Sequence, residues 1–197
     1  GVQMWKFGVV GFLGLLSLPI GWRFLHDYQK ERVYTFLDPE RDPLGKGYHI
    51  LQSKITLGSG GIFGKGFLQG TQSRLNFLPE KQTDFIFTVL AEEFGLIGSV
   101  SLLVLYLALI FYGCVIAFRS TSFFGRLLAL GLSANLFLYV FINIAMVMGL
   151  LPVVGVPLPM ISYGGTVMLT LMFSFGLIEC VNVNRDVQIG RRGAYDD

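Results

Sequence analysis

Charge is what this sequence has least of. Only 14% of its 197 residues are Asp, Glu, Lys or Arg, where soluble domains carry about a quarter. Together with 53% apolar and 14% aromatic residues, this scarcity excludes an ordinary water-soluble globule. A net charge of +2 gives no basic face for nucleic acid. Cysteine and histidine are as scarce, at two each. His26 and His49 stand at no metal-ligand spacing from Cys114 or Cys180, so the sequence indicates neither a zinc site nor a disulfide. A nucleotide-binding loop is excluded as well. In Gly58-Ser59-Gly60-Gly61-Ile62-Phe63-Gly64-Lys65-Gly66 the position six before the lysine is Ser59 rather than Gly, and Gly66 stands where Ser or Thr should follow.

What the chain has instead is uncharged length. Phe7–Trp22, Phe94–Phe118, Leu127–Leu151 and Met160–Ile178 approach the roughly 20 apolar residues that cross a bilayer as helix. They predict an all-α integral membrane protein with about four transmembrane helices. The first run carries Lys6 alone and has no small-x-small cleavage site before Arg23, which favours a spanning helix over a signal peptide. A start at Gly1 rather than Met is expected of a processed product or a piece of a longer protein. Nine of the 15 basic and seven of the 13 acidic residues fall between Arg23 and Asp84. The organisation expected is a helix over 1–25, a large loop with short helices over 26–83, three helices over 84–184 with a Pro/Gly-rich connection at 152–159, and a tail at 185–197. A connection as long as the loop needs a role. Arg119 and Arg126 in a short loop, and Arg185, Arg191 and Arg192 in the tail, place those segments in the cytoplasm and the large loop outside.

Chemistry concentrates where the loop meets the second helix. Asp84, in Leu78-Pro79-Glu80-Lys81-Gln82-Thr83-Asp84-Phe85, is expected at the positive end of a helix dipole. There it can serve as a general base, or Thr83 or Asp84 can simply cap the helix. Upstream, Asp38-Pro39-Glu40-Arg41-Asp42-Pro43 reads as turns. Tyr48–Leu57 reads as a helix with Ile50, Leu51 and Ile55 on an apolar face and Gln52, Ser53 and Lys54 on a polar one. It suits either the membrane surface or packing on the other helices. The glycines of 58–66 either turn the chain or bring backbone N–H groups to an anion, with Lys54, Lys65, Arg74 and Lys81 as nearby cations. Glu92 and Glu93 lie roughly 12–13 Å beyond Asp84 along a helix, deep enough to need a partner. Pro152, Pro157 and Pro159, followed by Ser162-Tyr163-Gly164-Gly165-Thr166, interrupt an apolar run. Such backbone must face protein or a wet cavity.

Read in order, the motifs resemble a known family. Asp38-Pro39-x-x-Asp42-Pro43-Leu44-Gly45, Gln52-Ser53, Gly58-Ser59-Gly60-Gly61, Gly64-Lys65-Gly66, Gly70-Thr71-Gln72, Leu78-Pro79-Glu80, Thr83-Asp84-Phe85, Glu92-Glu93-x-Gly95, the run Gly149 to Pro159 and Ser162-Tyr163-Gly164-Gly165 are similar to those of the SEDS proteins of shape, elongation, division and sporulation, closest to the rod-shape members. The resemblance implies the C-terminal part of a roughly ten-helix fold. It further implies a peptidoglycan glycosyltransferase that polymerises lipid II at the outer face of the bacterial inner membrane during elongation. Its expected associates are a class B penicillin-binding protein, other elongation-complex proteins and membrane lipid. Asp84 matches the family's essential aspartate. Gln52, Ser53, Lys54, Lys65, Gln72, Arg74, Lys81 and Glu92 become substrate-binding candidates, with Mg²⁺ or Mn²⁺ as a candidate cofactor at the leaving group. Two other classes share these features: a lipid II transporter, which would keep its functional charges near the midplane, and a non-catalytic scaffold, in which Asp84 would be dispensable.

Overall fold

The computed structural model describes residues 23–38, 45–70 and 82–186, with scattered positions before 23. Most of Phe7–Trp22, most of the Asp38–Pro43 turns, and Gln72, Arg74 and Lys81 lie outside the described residues. Two compact units divide the chain, Gly1–Tyr48 and His49–Asp197. In the first, helix α1 (Asp27–Leu37) starts with the His26 N–H donating to Gln29 Oε1 at 3.0 Å, half of a capping box.

Among its described residues the second unit is built from helices joined by a glycine-rich loop, a short turn and a Pro/Gly-rich connection. Helix α2 (Lys46–Ser59) leads into the glycine-rich loop, and α3 (Ile86–Arg119), α4 (Phe123–Val147) and α5 (Gly165–Val183) follow. These last three have mean hydropathies of 2.5, 2.0 and 1.7 over their most apolar windows, of which only 22%, 28% and 11% is buried within the chain. Apolar helices so little covered by their own chain are built to face lipid or other membrane helices. α3 packs on α4, and α5 leans on both. Phe85, Tyr106, Leu136, Met146 and Leu158 fill the core near the start of α3, while Ile116, Ala117, Ala129 and Ile178 fill the opposite end. Close approach of α3 to α4 depends on Gly113, where a Cβ would collide with Ser133 Oγ.

Two expectations need correction. The apolar run from Met160 does not begin as helix, because Ser162 and Tyr163 are engaged elsewhere and α5 starts only at Gly165. On α2 the expected faces hold only in part: Ile50 is buried and Lys54 exposed, but Ser53 and Thr56 are buried too, whereas Leu51 and Ile55 are 37% and 57% exposed. Ser53 goes inside because its hydroxyl reaches Val147 O at 2.8 Å and Ile50 O at 3.0 Å, so the polar group is satisfied by the end of α4.

At Gly95, α3 is broken. An unbroken helix would pair the Leu96 N–H with Glu92 O and the Ile97 N–H with Glu93 O. Here Gly95 takes φ 67° and ψ −159°, and the glycine-rich loop supplies all four replacement partners. Lys65 N–H donates to Glu92 O and Gly66 N–H to Glu93 O, both at 3.0 Å, while Leu96 N–H donates to Gly61 O at 3.0 Å and Ile97 N–H to Ile62 O at 3.2 Å. The loop is thus spliced into the helix ladder, and these four backbone groups all find partners across the break. A Cβ at Gly60 would collide with Ala91 O, at Gly64 with Glu93 O, and at Gly95 with Gly64 N.

Candidate active site

Asp84 sits in the turn 82–85, just before α3. The helix cap is Phe85, with no side-chain cap bond, so Thr83 and Asp84 do not occupy the capping position. Three consecutive carbonyls of this turn are held from outside. Gln82 O accepts from Tyr163 N–H at 2.9 Å, Thr83 O from the Ser162 hydroxyl at 2.6 Å, and Asp84 O from Asn143 Nδ2 at 2.9 Å. The same Asn143 amide donates to Val156 O at 2.7 Å, and Ser162 Oγ accepts from Leu158 N–H at 2.7 Å. Tyr106 secures the connection from below, its hydroxyl donating to Pro159 O. Proline makes this region available for such a role, since it removes N–H donors and keeps the chain out of helix.

The Asp84 carboxylate is half-buried against Gly155, where a Cβ would lie 3.2 Å from Oδ2. Gly149, on the same connection, lies against the end of the Lys54 side chain, both Cε and Nζ. His49 packs on Phe85 with ring centroids 6.2 Å apart. One stretch of backbone thus lies against both a carboxylate from the turn, at Gly155, and an ammonium from α2, at Gly149. Among the described residues Lys54 has no ion-pair partner, and it is exposed.

The other described candidates have different surroundings. Lys65 donates to Glu92 Oε1 at 2.8 Å and to Ser59 Oγ at 2.9 Å. Glu92 is 0% exposed, so this ion pair is the partner that a deep acid needs. The Lys65 and Gly66 N–H groups are bonded to α3, so these two donors are engaged at the splice instead of facing an anion. Ser53 is buried beneath α2, and Gln52 is half-buried with its carbonyl accepting from Thr56 Oγ1. Beside the break lies a cleft of about 180 Å³ lined by Leu57, Phe87, Leu96, Val100, Ile144 and Met148 among others, with no ionisable side chain in its wall. Among the described residues no group of three His, Cys, Asp or Glu side chains could hold a metal. They do not form a cage for a divalent cation.

Sequence reasoning missed Asn143. The available signal was that two amides, Asn135 and Asn143, lie inside an uncharged span, where polar groups are costly and tend to carry a role.

The family profile of the FtsW/RodA/SpoVE cell cycle proteins matches residues 1–187. The peptidoglycan glycosyltransferase MrdB of Escherichia coli (strain K12) is 57% identical over 186 residues, 94% of this chain and 50% of that protein. The peptidoglycan glycosyltransferase RodA of Treponema pallidum (strain Nichols) is 40% identical over 178 residues, 88% of this chain and 41% of that protein. Among solved structures, a chain from a peptidoglycan synthase complex, described for its structural coordination of polymerization and crosslinking, superposes with a TM-score of 0.73 at 33% identity. That match covers 92% of this chain and 50% of the other. Three apolar helices and the motif set define a membrane protein of the SEDS type. The chain belongs to the FtsW/RodA/SpoVE family, and it spans about half the length of the curated relatives it matches.

Proposed function

We propose that this chain forms part of a peptidoglycan glycosyltransferase of the RodA kind, with Asp84 as its general base. The observation that carries the reading is the Asp84 carboxylate, half-buried on a turn fixed at three carbonyls and sharing one connection with the Lys54 ammonium. In the reaction, an acceptor sugar hydroxyl bonds the anomeric carbon of the donor lipid II as the bond from that carbon to the pyrophosphate oxygen breaks. The hydroxyl proton passes to Asp84, and the electron pair leaves with the lipid pyrophosphate. Lys54 is placed to offset the charge developing on those oxygens.

The site belongs at the outer face of the bacterial inner membrane. Asp84, Lys54 and the Pro/Gly connection share one end of the three helices, and the arginine-bearing turn holds the other. There the Thr121 N–H and hydroxyl both donate to Arg185 O, at 2.9 and 2.7 Å, between Arg119 and Arg126. A class B penicillin-binding protein is the partner proposed, by analogy with the solved synthase complex.

In the full-length protein with that partner, Asp84→Asn should lower lipid II polymerisation by ~10²–10⁴-fold, the usual worth of general base catalysis. Polymer yield would be followed by gel, with membrane insertion and partner binding retained. A variant within a few-fold of wild type would return Asp84 to a structural part of the turn.

A further inference from the structure

The carbonyls of Gln82, Thr83 and Asp84 would, in a helix begun one turn earlier, accept from the N–H groups of Ile86, Phe87 and Thr88. Instead the Thr88 N–H turns to Phe85 O at 3.0 Å, and the three carbonyls are taken by Tyr163, Ser162 and Asn143. The start of α3 is therefore set by two side chains, of Asn143 on α4 and Ser162 on the connection, and by the Tyr163 main-chain N–H. They also fix the backbone from which the Asp84 carboxylate projects.

Asn143 does this at a cost. It is 0% exposed within an apolar helix, and both its amide contacts are spent, on Asp84 O and Val156 O. Its Oδ1 is buried with no hydrogen-bond partner among the described residues. An unmet buried acceptor is unfavourable, and native cores contain few of them. A residue kept for packing alone would be apolar here. What Asn143 adds is a two-pronged tie between the turn holding the carboxylate and the connection that Gly155 presses against it.

We propose that Asn143 and Ser162 are positioning residues, which hold the Asp84 carboxylate at the distance and angle needed to take a proton from the acceptor hydroxyl. This inference rests on the reading of Asp84 as base. Misplacement of a reacting group by about 1 Å can lower a rate by ~10²-fold, so loss of either side chain acts on kcat through Asp84.

The test uses full-length protein with its transpeptidase partner and purified lipid II, comparing Asn143→Ala, Ser162→Ala, Ser162→Thr and Asp84→Asn. Both alanine variants should lose about tenfold or more in kcat per folded molecule, with KM little changed. Ser162→Thr, which keeps the hydroxyl, should recover most of that loss. A packing role alone would lower yield or melting temperature and leave kcat per folded molecule at the wild-type value, and that result overturns the proposal. Failure of threonine to restore the rate would remove Ser162 from it. Should Asn143→Ala not accumulate, Ser162→Ala decides, since it removes one hydroxyl from a residue that is only half-buried. An active Asp84→Asn would sink the base assignment itself, whereas an inactive one beside two alanine variants of normal kcat would sink the positioning inference alone.

Discussion

Lys65 and Glu92 show how far a residue's role depends on what surrounds it. By charge and loop position, Lys65 is as good a candidate for the leaving group as Lys54. The structure pairs its ammonium with a carboxylate that is 0% exposed. Removing one partner of such a pair strands a buried charge, a loss of about 3–5 kcal/mol when both are fully buried. Lys65, whose side chain is 28% exposed, should fall at the lower end. Lys65→Met should therefore reduce the melting temperature of the detergent-solubilised protein strongly. Lys65→Met combined with Glu92→Gln should recover part of that loss, because the stranded charge is gone. Glu92→Gln should act through folding or substrate binding, seen as lost protein or a raised KM, with kcat less affected than in Asp84→Asn. A stable Glu92→Gln protein with normal binding and no turnover would move the base assignment to Glu92. Of these residues, Asp84 was legible in sequence because a polar turn gives way there to an apolar run. Asn143 was not, because its partners lie 59 and 13 positions away and no spacing rule connects them.

Among the elements, long uncharged runs survive translation into structure and faces do not. The expected span Phe94–Phe118 coincides with the part of α3 beyond its break, since an unbroken apolar stretch can satisfy its backbone only as helix. The face of α2 was misread because amphipathic patterning assumes that polar side chains seek water. Ser53 found the Val147 carbonyl instead. Nor could glycine spacing reveal the splice, where backbone meets backbone about 30 positions away and no side chain records it. The splice makes a specific demand on hydrogen exchange. Leu96 and Ile97 amides bond to the loop across the break, so their protection reports loop docking. Gly64→Ala, whose Cβ would collide with Glu93 O, should accelerate exchange at these two amides while those of Leu102 to Ile110 stay slow. Unchanged protection at Leu96 and Ile97 would show that the loop bonds are not what shields them.

For the molecule as a whole, the orientation in the membrane organises everything else. Cysteines introduced one at a time at Arg41 and Phe123, in a protein whose Cys114 and Cys180 have been replaced, should react differently with a membrane-impermeant reagent in cells with a permeable outer envelope. Position 41 should label and position 123 should not. The reverse pattern would put Asp84 and Lys54 on the cytoplasmic side, away from any acceptor strand. This expected orientation rests on charge distribution and needs no coordinates, because short arginine-bearing loops are strongly biased inward. The unpaired state of Lys54 among the described residues, on which the proposed leaving-group role depends, needed the structure.

The joint between the glycine loop and α3 also constrains how such a sequence can vary over generations. At Gly60, Gly64 and Gly95 an added Cβ meets main-chain atoms, which every amino acid shares, so no second substitution nearby can make room for it. Ordinary core positions drift by compensating exchanges of large for small side chains. These three have no exchange available. A library randomised at all three together and selected for growth should return glycine at each, and any variation the joint tolerates should appear at outward-facing Ile62 and Phe63, which are 60% and 81% exposed.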